Sequence, residues 1–290
     1  MQRLVITGAS GQLARRAAEL VLEACPPERL VLVTRTPDAL AHLAQRGVDV
    51  RFGDFAQPES LRAAFAGGTR MLLVSATDLE RRTEQHAAAI AFAAQAGVAH
   101  IVYTSGLSPA PPNPAAVAPS HYATEERLRA SGLRWTILRN SLYAEYQAVE
   151  ARRVAESGTL VHNRGEGRVA YVSREDCAAA AAAVLLGEGH EGAIYDITGP
   201  EAWSAAELAA LYGELAGKTI DAVNLDDAAF VERLVGDAAD DDHLKYGAEL
   251  VASFGRSIRE GFMASCTDAV ARLTGRRART LRETLAGALT

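Results

Sequence analysis

The stretch LVITGASGQLARRAAEL, residues 4–20, decides the fold. Leu4-Val5-Ile6-Thr7 is continuously apolar or β-branched, as expected of a parallel strand covered on both faces. It runs straight into Gly8-x-x-Gly11-x-x-Ala14 and then into an alanine-rich helix, Gln12–Ala24. Gly8 permits a tight turn, Gly11 lets backbone approach a bound group, and Ala14 is small enough for the helix to pack close to the strand. The free amides at the start of that helix, at the positive end of its dipole, suit the phosphates of a dinucleotide.

Outward from this unit the rhythm repeats. Strands are predicted at Leu30–Val33, Val48–Phe52, Met71–Val74, His100–Tyr103 and Trp135–Arg139. Helices are predicted at Asp38–Arg46, Pro58–Ala66, Glu80–Ala96 and around His121–Ala130, with Pro58 in a first turn and Gly47, Gly67 and Gly97 at exits. Repeated β-α units with right-handed crossovers make an α/β fold, a doubly wound parallel Rossmann sheet. After Asn140 the pattern changes. Strand-like pieces at Thr159–His162, Val169–Val172 and Ala193–Thr198 mix with helices, and Ser204-x-x-Glu207 and Thr280-x-x-Glu283 are capping boxes. The expected division is a nucleotide-binding domain of residues 1–140 plus 165–200 and a smaller C-terminal α/β lobe of 141–164 plus 201–290. Asp237–Asp242 reads as a solvated acidic turn.

Composition narrows the class. With 290 residues, 49% hydrophobic and 23% charged, the chain is neither disordered nor a repetitive scaffold. A net charge of −6 argues against broad capture of nucleic acid or anionic membrane. Cys25, Cys177 and Cys266 show no paired spacing, and the longest apolar run, Cys177–Leu186, is too short to span a bilayer. No basic and hydrophobic leader precedes the first strand, so a cytoplasmic protein is expected. His42, His86, His100, His162, His190 and His243 lack ligand spacing, and no metal site is expected. Arg276-Arg277-x-Arg279 reads as a solvated turn before a capped helix.

The choice of nucleotide is read where the second strand ends. A carboxylate there would accept from an adenosine ribose, but the chain has Val33-Thr34-Arg35-Thr36. The planar fork of Arg35 suits a 2′-phosphate, which favours NADP(H) over NAD(H), although a surface arginine after a strand has the same appearance. In Gly53-Asp54-Phe55, Asp54 can accept from an adenine amino group and Phe55 can pack near the ring; a plain turn before Pro58 is the structural alternative. Ser75 and Ala76 are small residues past which a ribose or nicotinamide can lie.

One expected piece of chemistry is missing. Dehydrogenases and epimerases on this sheet use Tyr-x-x-x-Lys, in which the ammonium lowers the phenol's pKa. The two lysines, Lys218 and Lys245, are preceded at that spacing by Glu214 and Asp241.

The segments ITGASGQL from Ile6, GDFAQPESL from Gly53, HIVYTSG from His100, HYATEERLRASGL from His121 and WTILRNSLY from Trp135 together carry a family signature. With EGHEGAIYDITGP from Glu188 and the helix from Ser204, they cover nearly the whole chain. The chain resembles the NmrA-like branch of atypical short-chain dehydrogenase/reductases, and within it is most similar to the triphenylmethane reductases and NAD(P)H:quinone oxidoreductases. Ser10 departs from a frequent threonine, and the loop Leu107–Ser120 is unusually rich in proline and alanine. The resemblance implies NADPH (NADP) along Gly8, Ser10, Gly11, Gln12, Leu13 and Arg35, with Asp54 and Phe55 at adenine. It also implies that His121 stands where the isoflavone-reductase relatives hold a catalytic lysine.

Hydride transfer to an already electrophilic acceptor needs little acid assistance, so a small-molecule aromatic or quinone acceptor is expected. His121 and Tyr103 are the candidate catalytic residues, as proton donors or as orienters of the ribose; Asn140 and Tyr143 are candidates for the acceptor pocket. Each also has a structural reading, as a helix-start, strand or strand-end residue. An NADP(H) sensor that docks on a regulatory protein is the competing reading, and an NAD-linked epimerase or dehydratase is disfavoured by the missing dyad. A homodimer is left open.

Overall fold

The computed structural model describes residues 3–236 and 241–286. The first half alternates strand and helix: β1 (Leu4–Thr7), α1 (Gln12–Ala24), β2 (Leu30–Thr34), α2 (Ala41–Ala44), β3 (Asp49–Phe52), α3 (Ser60–Phe65), β4 (Arg70–Leu73), α4 (Arg82–Gln95), β5 (His100–Gly106), α5 (Ala118–Arg129) and β6 (Arg134–Asn140). There follow α6 (Glu145–Ser157), β7 (Thr159–His162), α7 (Arg174–Leu186), β8 (Ile194–Ile197), α8 (Ala205–Ala216), β9 (Asp221–Asn224), α9 (Asp227–Val235), α10 (Asp242–Arg259), α11 (Ala269–Thr274) and α12 (Leu281–Ala286).

Seven strands form one parallel sheet in the order β3-β2-β1-β4-β5-β6-β8. Alternate residues of each strand feed opposite layers. Leu4, Ile6, Leu30, Leu32, Leu72, Val102 and Leu138 pack with α1, α7 and α11, whereas Val5, Val31, Val33, Met71, Leu73 and Ile101 pack with α3 and α4. The alanine-rich run from Cys177 is the buried side of α7, where small residues let α1 and α7 lie close together over the sheet.

The smaller half has its own core, with Ala148 and Ala151 of α6, Leu160 of β7, Leu208 and Tyr212 of α8, and Leu281 and Leu285 of α12. β7 and β9 pair in parallel. Both capping boxes form: Ser204 with Glu207, and Thr280 with Glu283. The strand expected at Val169–Val172 is instead a stitch between the two halves. Its backbone bonds go to Leu142 and Ala144, to Gly199 and Trp203, and to Met263, three separate segments, so no ladder can extend. Of the acidic turn, residues 237–240 lie outside the described residues, while Asp241 caps α10. Arg276 and Arg277, expected to be solvated, pair with Asp176 and Glu283.

Two features of the sheet concentrate functional residues at one end of the molecule. The loops after β1 to β6 all emerge at the carboxyl edge, and the strand order reverses between β1 and β4, where open α/β sheets bind ligands. The fully buried Glu125 of α5 takes both arms of the Arg139 fork at 2.9 and 2.7 Å and a bond from Ser105, which locks α5 onto β5 and β6.

Candidate active site

Two adjoining cavities open along that edge. A cleft of about 320 Å³ lies over β1, β2 and β4 and is lined by Gly8, Ser10, Gly11, Arg35, Asp54, Phe55, Ser75 and Ala76, eight of the ten residues expected at a nucleotide. Gly8 has φ of +61°, a left-handed conformation that costs a side chain dearly, and its carbonyl accepts from Gly11 N–H at 2.8 Å to close the turn. No side chain caps α1, so its first amides are free for an anion. Gln12 and Leu13 do not line the cleft: Gln12 is exposed, and Leu13 is buried in the core with α7. What they offer is backbone N–H.

Arg35 is exposed and makes no ion pair or side-chain hydrogen bond among the described residues, while beside it Thr34 Oγ1 donates to Ser10 Oγ at 2.9 Å. Asp54 accepts from Ala56 N–H through Oδ1 at 2.9 Å, in a turn closed by Ser60. The loop after β4 is pinned three times. Ser75 N–H donates to Thr104 Oγ1 at 3.0 Å, Ala76 N–H to His86 Nε2 at 2.9 Å, and Arg82 Nε to Ala76 O at 2.7 Å.

The second cavity, about 250 Å³, is lined by Ser75, Arg82, Gly106, His121, Asn140, Ser141 and Tyr143 from the sheet side, with Phe254 and Met263 from the smaller half. Ser75 lines both cavities, which makes them neighbours through one residue. Gly106 is needed here, because a Cβ on it would lie 3.2 Å from the ring of His121. Asn140 Oδ1 and Ser141 Oγ are buried in this wall without a hydrogen-bond partner among the described residues. Buried polar atoms left unpaired are costly unless a ligand meets them.

The histidines are fixed by their partners. Arg82 Nη1 lies 3.4 Å from His121 Nε2, and a guanidinium only donates, so Nε2 accepts and the proton sits on Nδ1, 2.8 Å from Tyr103 Oη. His86 accepts at Nε2 and donates from Nδ1 to Thr124 Oγ1 at 2.9 Å, since Thr124 gives its own proton to Ser120 O. Burial, reinforced by the nearby Arg82 charge, pushes both imidazoles down to about 3.

The two residues expected to be catalytic are placed differently. Tyr103 is fully buried, lines neither cavity and has its phenol pushed upward by burial; its hydroxyl holds His121. His121 does line the second cavity, where burial and then the Arg82 charge hold its imidazole well below the ordinary value. Asn140 and Tyr143 both line the second cavity, Asn140 Nδ2 being 3.4 Å from Tyr143 Oη. Arg82 and Ser141 were not anticipated. Lys218 donates to Ala155 O in the smaller half, and among the described residues no group of histidine, cysteine and carboxylate side chains is arranged for a metal. No helix among the described residues is long and apolar enough to cross a membrane.

Known proteins are similar to this chain in sequence and in fold. The family model for NAD(P)H-binding proteins matches residues 8–188. Quinone oxidoreductase 2 of Escherichia coli is 36% identical over 231 residues, 80% of either chain. The crystal structure of an NADPH-dependent quinone oxidoreductase from Escherichia coli complexed with NADPH superposes with a TM-score of 0.93 at 32% identity, covering 99% of this chain and 100% of that one. Citrobacter sp. triphenylmethane reductase complexed with NADP(H) superposes with a TM-score of 0.88 at 33% identity, covering 99% of each chain.

Proposed function

Because the chain belongs to the NAD(P)H-binding family, among its NmrA-like atypical short-chain reductases, we propose that it is a cytoplasmic NADPH-dependent oxidoreductase acting on quinones or related conjugated aromatic acceptors. The observation that carries this reading is the pair of cavities meeting at Ser75: one lined by the glycine turn and Arg35, the other walled by polar atoms that lack partners among the described residues. A bound NADPH supplies the hydride. The residues of the sheet half divide the work of holding it. Gly8, Ser10, Gly11 and the amides of Gln12 and Leu13 receive the diphosphate, Arg35 the 2′-phosphate, and Asp54 and Phe55 the adenine. Ser75 and Ala76, on the triply pinned loop, set the nicotinamide end against the second cavity.

The smaller half covers the acceptor through Phe254 and Met263, which excludes water from the transfer. A sensor without turnover would have no use for the second cavity. The decisive experiment monitors the absorbance of NADPH with a panel of quinones. Saturable oxidation is expected; tight NADPH binding with no oxidation across the panel would transfer the protein to the sensor class.

A further inference from the structure

Two arginines are buried among the described residues, Arg70 and Arg82, and of these Arg82 lines a cavity. Only 8% of it is exposed, yet no carboxylate lies within ion-pairing distance among the described residues. Its neighbour Asp78 is occupied elsewhere, accepting from Arg81 N–H at 3.1 Å and from Gln85 Nε2 at 3.5 Å. Nε is satisfied by Ala76 O, and Nη1 by Ser120 Oγ at 3.3 Å and His121 Nε2. Nη2 has no hydrogen-bond partner among the described residues, and the side chain lines the second cavity. Buried cations are ordinarily paired, so an unpaired one beside a cavity is an offer to a ligand.

We propose that Arg82 stabilises the oxyanion formed when the acceptor is reduced, and that the second cavity therefore selects neutral carbonyl acceptors, quinones, over cationic dyes. This rests on the hydride-transfer reading above. NADPH is oxidised to NADP⁺ as hydride and its electron pair pass to the quinone, which is reduced to a hydroquinone monoanion. One proton from water then completes the hydroquinone. The new charge is on oxygen, where a fixed guanidinium donor in a water-poor wall is worth most. His121 keeps Nη1 engaged and so leaves Nη2 as the free donor of a side chain that lines the cavity, which makes His121 a positioning residue. A cationic dye would meet a like charge at the same wall and would leave no oxyanion for it to stabilise.

Three measurements on the full chain test this. Arg82→Met is expected to lower kcat for a neutral benzoquinone about a hundredfold more than it lowers kcat for a cationic triphenylmethane dye, and to weaken NADPH binding by no more than about tenfold through loss of the Nε bond to Ala76 O. Arg82→Lys, which keeps the charge but loses the fork, is expected to recover part of the rate. In the presence of NADP⁺, para-nitrophenol bound to the wild type is expected to ionise at lower pH than in free solution, seen as the yellow phenolate, and Arg82→Met is expected to abolish that shift. Equal losses for quinone and dye, loss of NADPH binding in both variants, or an unshifted nitrophenol would overturn the assignment. Wild-type protein that binds NADPH but reduces no quinone removes the reductase reading and this inference together. A wild type that turns over while Arg82→Met matches it removes the inference alone.

Discussion

The two edges of the sheet each bury an arginine, a histidine and a hydroxyl in contact, and they do different things with them. At the amino edge Arg70 donates to Val184 O and Gly187 O at the end of α7, and its Nη2 lies 3.4 Å from His100 Nδ1. His100 Nε2 lies 2.8 Å from Thr136 Oγ1, which donates to His190 O at 2.7 Å. At the carboxyl edge the chain runs Arg82, His121, Tyr103. Neither guanidinium has a carboxylate within ion-pairing distance among the described residues, and both histidines are held neutral by burial and the adjacent cation. The difference is where each chain ends. The amino-edge chain terminates on backbone carbonyls and ties a helix end to the sheet; the carboxyl-edge chain terminates on a cavity. Burial and a depressed imidazole thus mark neither edge as functional, whereas the open end does.

The largest effect that could break this comparison is on stability. Arg70→Met strands two carbonyls at the end of α7 and is expected to cost about 2–4 kcal/mol in urea unfolding, while kcat per folded molecule stays as in the wild type. Arg82→Met strands one carbonyl, Ala76 O, and is expected to cost less, about 1–2 kcal/mol. A reversal of that order would mean that the carboxyl-edge arginine is the structural one. Next in size is Arg35, a free cation at the same edge. Arg35→Glu is expected to weaken NADPH binding between about tenfold and a hundredfold, and NADH binding by no more than about threefold, in calorimetric titrations. Equal losses would detach Arg35 from the 2′-phosphate.

How much of this was legible in the sequence depends on how each feature is encoded. Most of the strands β1 to β6 announce themselves as apolar runs, β3 being the alternating exception, and the glycine turn before α1 is a local signal; both needed only neighbours in the chain. Gly8, Arg35 and Asp54 fall into one cleft because every loop of a parallel sheet leaves from the same edge, which topology alone dictates. Arg82 was not legible as a site residue, since an arginine near the start of a helix ordinarily faces water. A signal was nevertheless present. The buried stripe of α4 runs Arg82, Gln85, His86, Ala89, Ile90, Ala93, a helical period whose first turns are polar. Polar residues continuing an apolar stripe toward the carboxyl edge point inward. Tyr103 misled for the opposite reason: strand alternation puts its side chain on the α3–α4 face, where its hydroxyl meets His121 beneath the cavity wall.

The smallest effect separates the two histidine chains by pH. In the folded protein His100 is depressed to about 4 and His121 to about 3, both first by burial and then by the adjacent arginine, against an ordinary value of 6.5. As pH falls below 6.5 the unfolded chain takes up protons that the folded chain refuses, so unfolding becomes easier. The stability these neutral rings contribute is fully present above 6.5 and declines toward their folded values. Each ring adds about 1.4 kcal/mol per pH unit to the slope between roughly pH 6 and pH 4.5. His100→Gln and His121→Gln are each expected to remove one ring's share of that slope in urea titrations. Only His121→Gln is also expected to lower quinone turnover, by about threefold to tenfold, because it frees Arg82 Nη1 and loosens the donor beside the cavity. If His100→Gln slowed turnover as much, the amino-edge network would have to be coupled to the site through the length of β5, and the division between the two edges would fail.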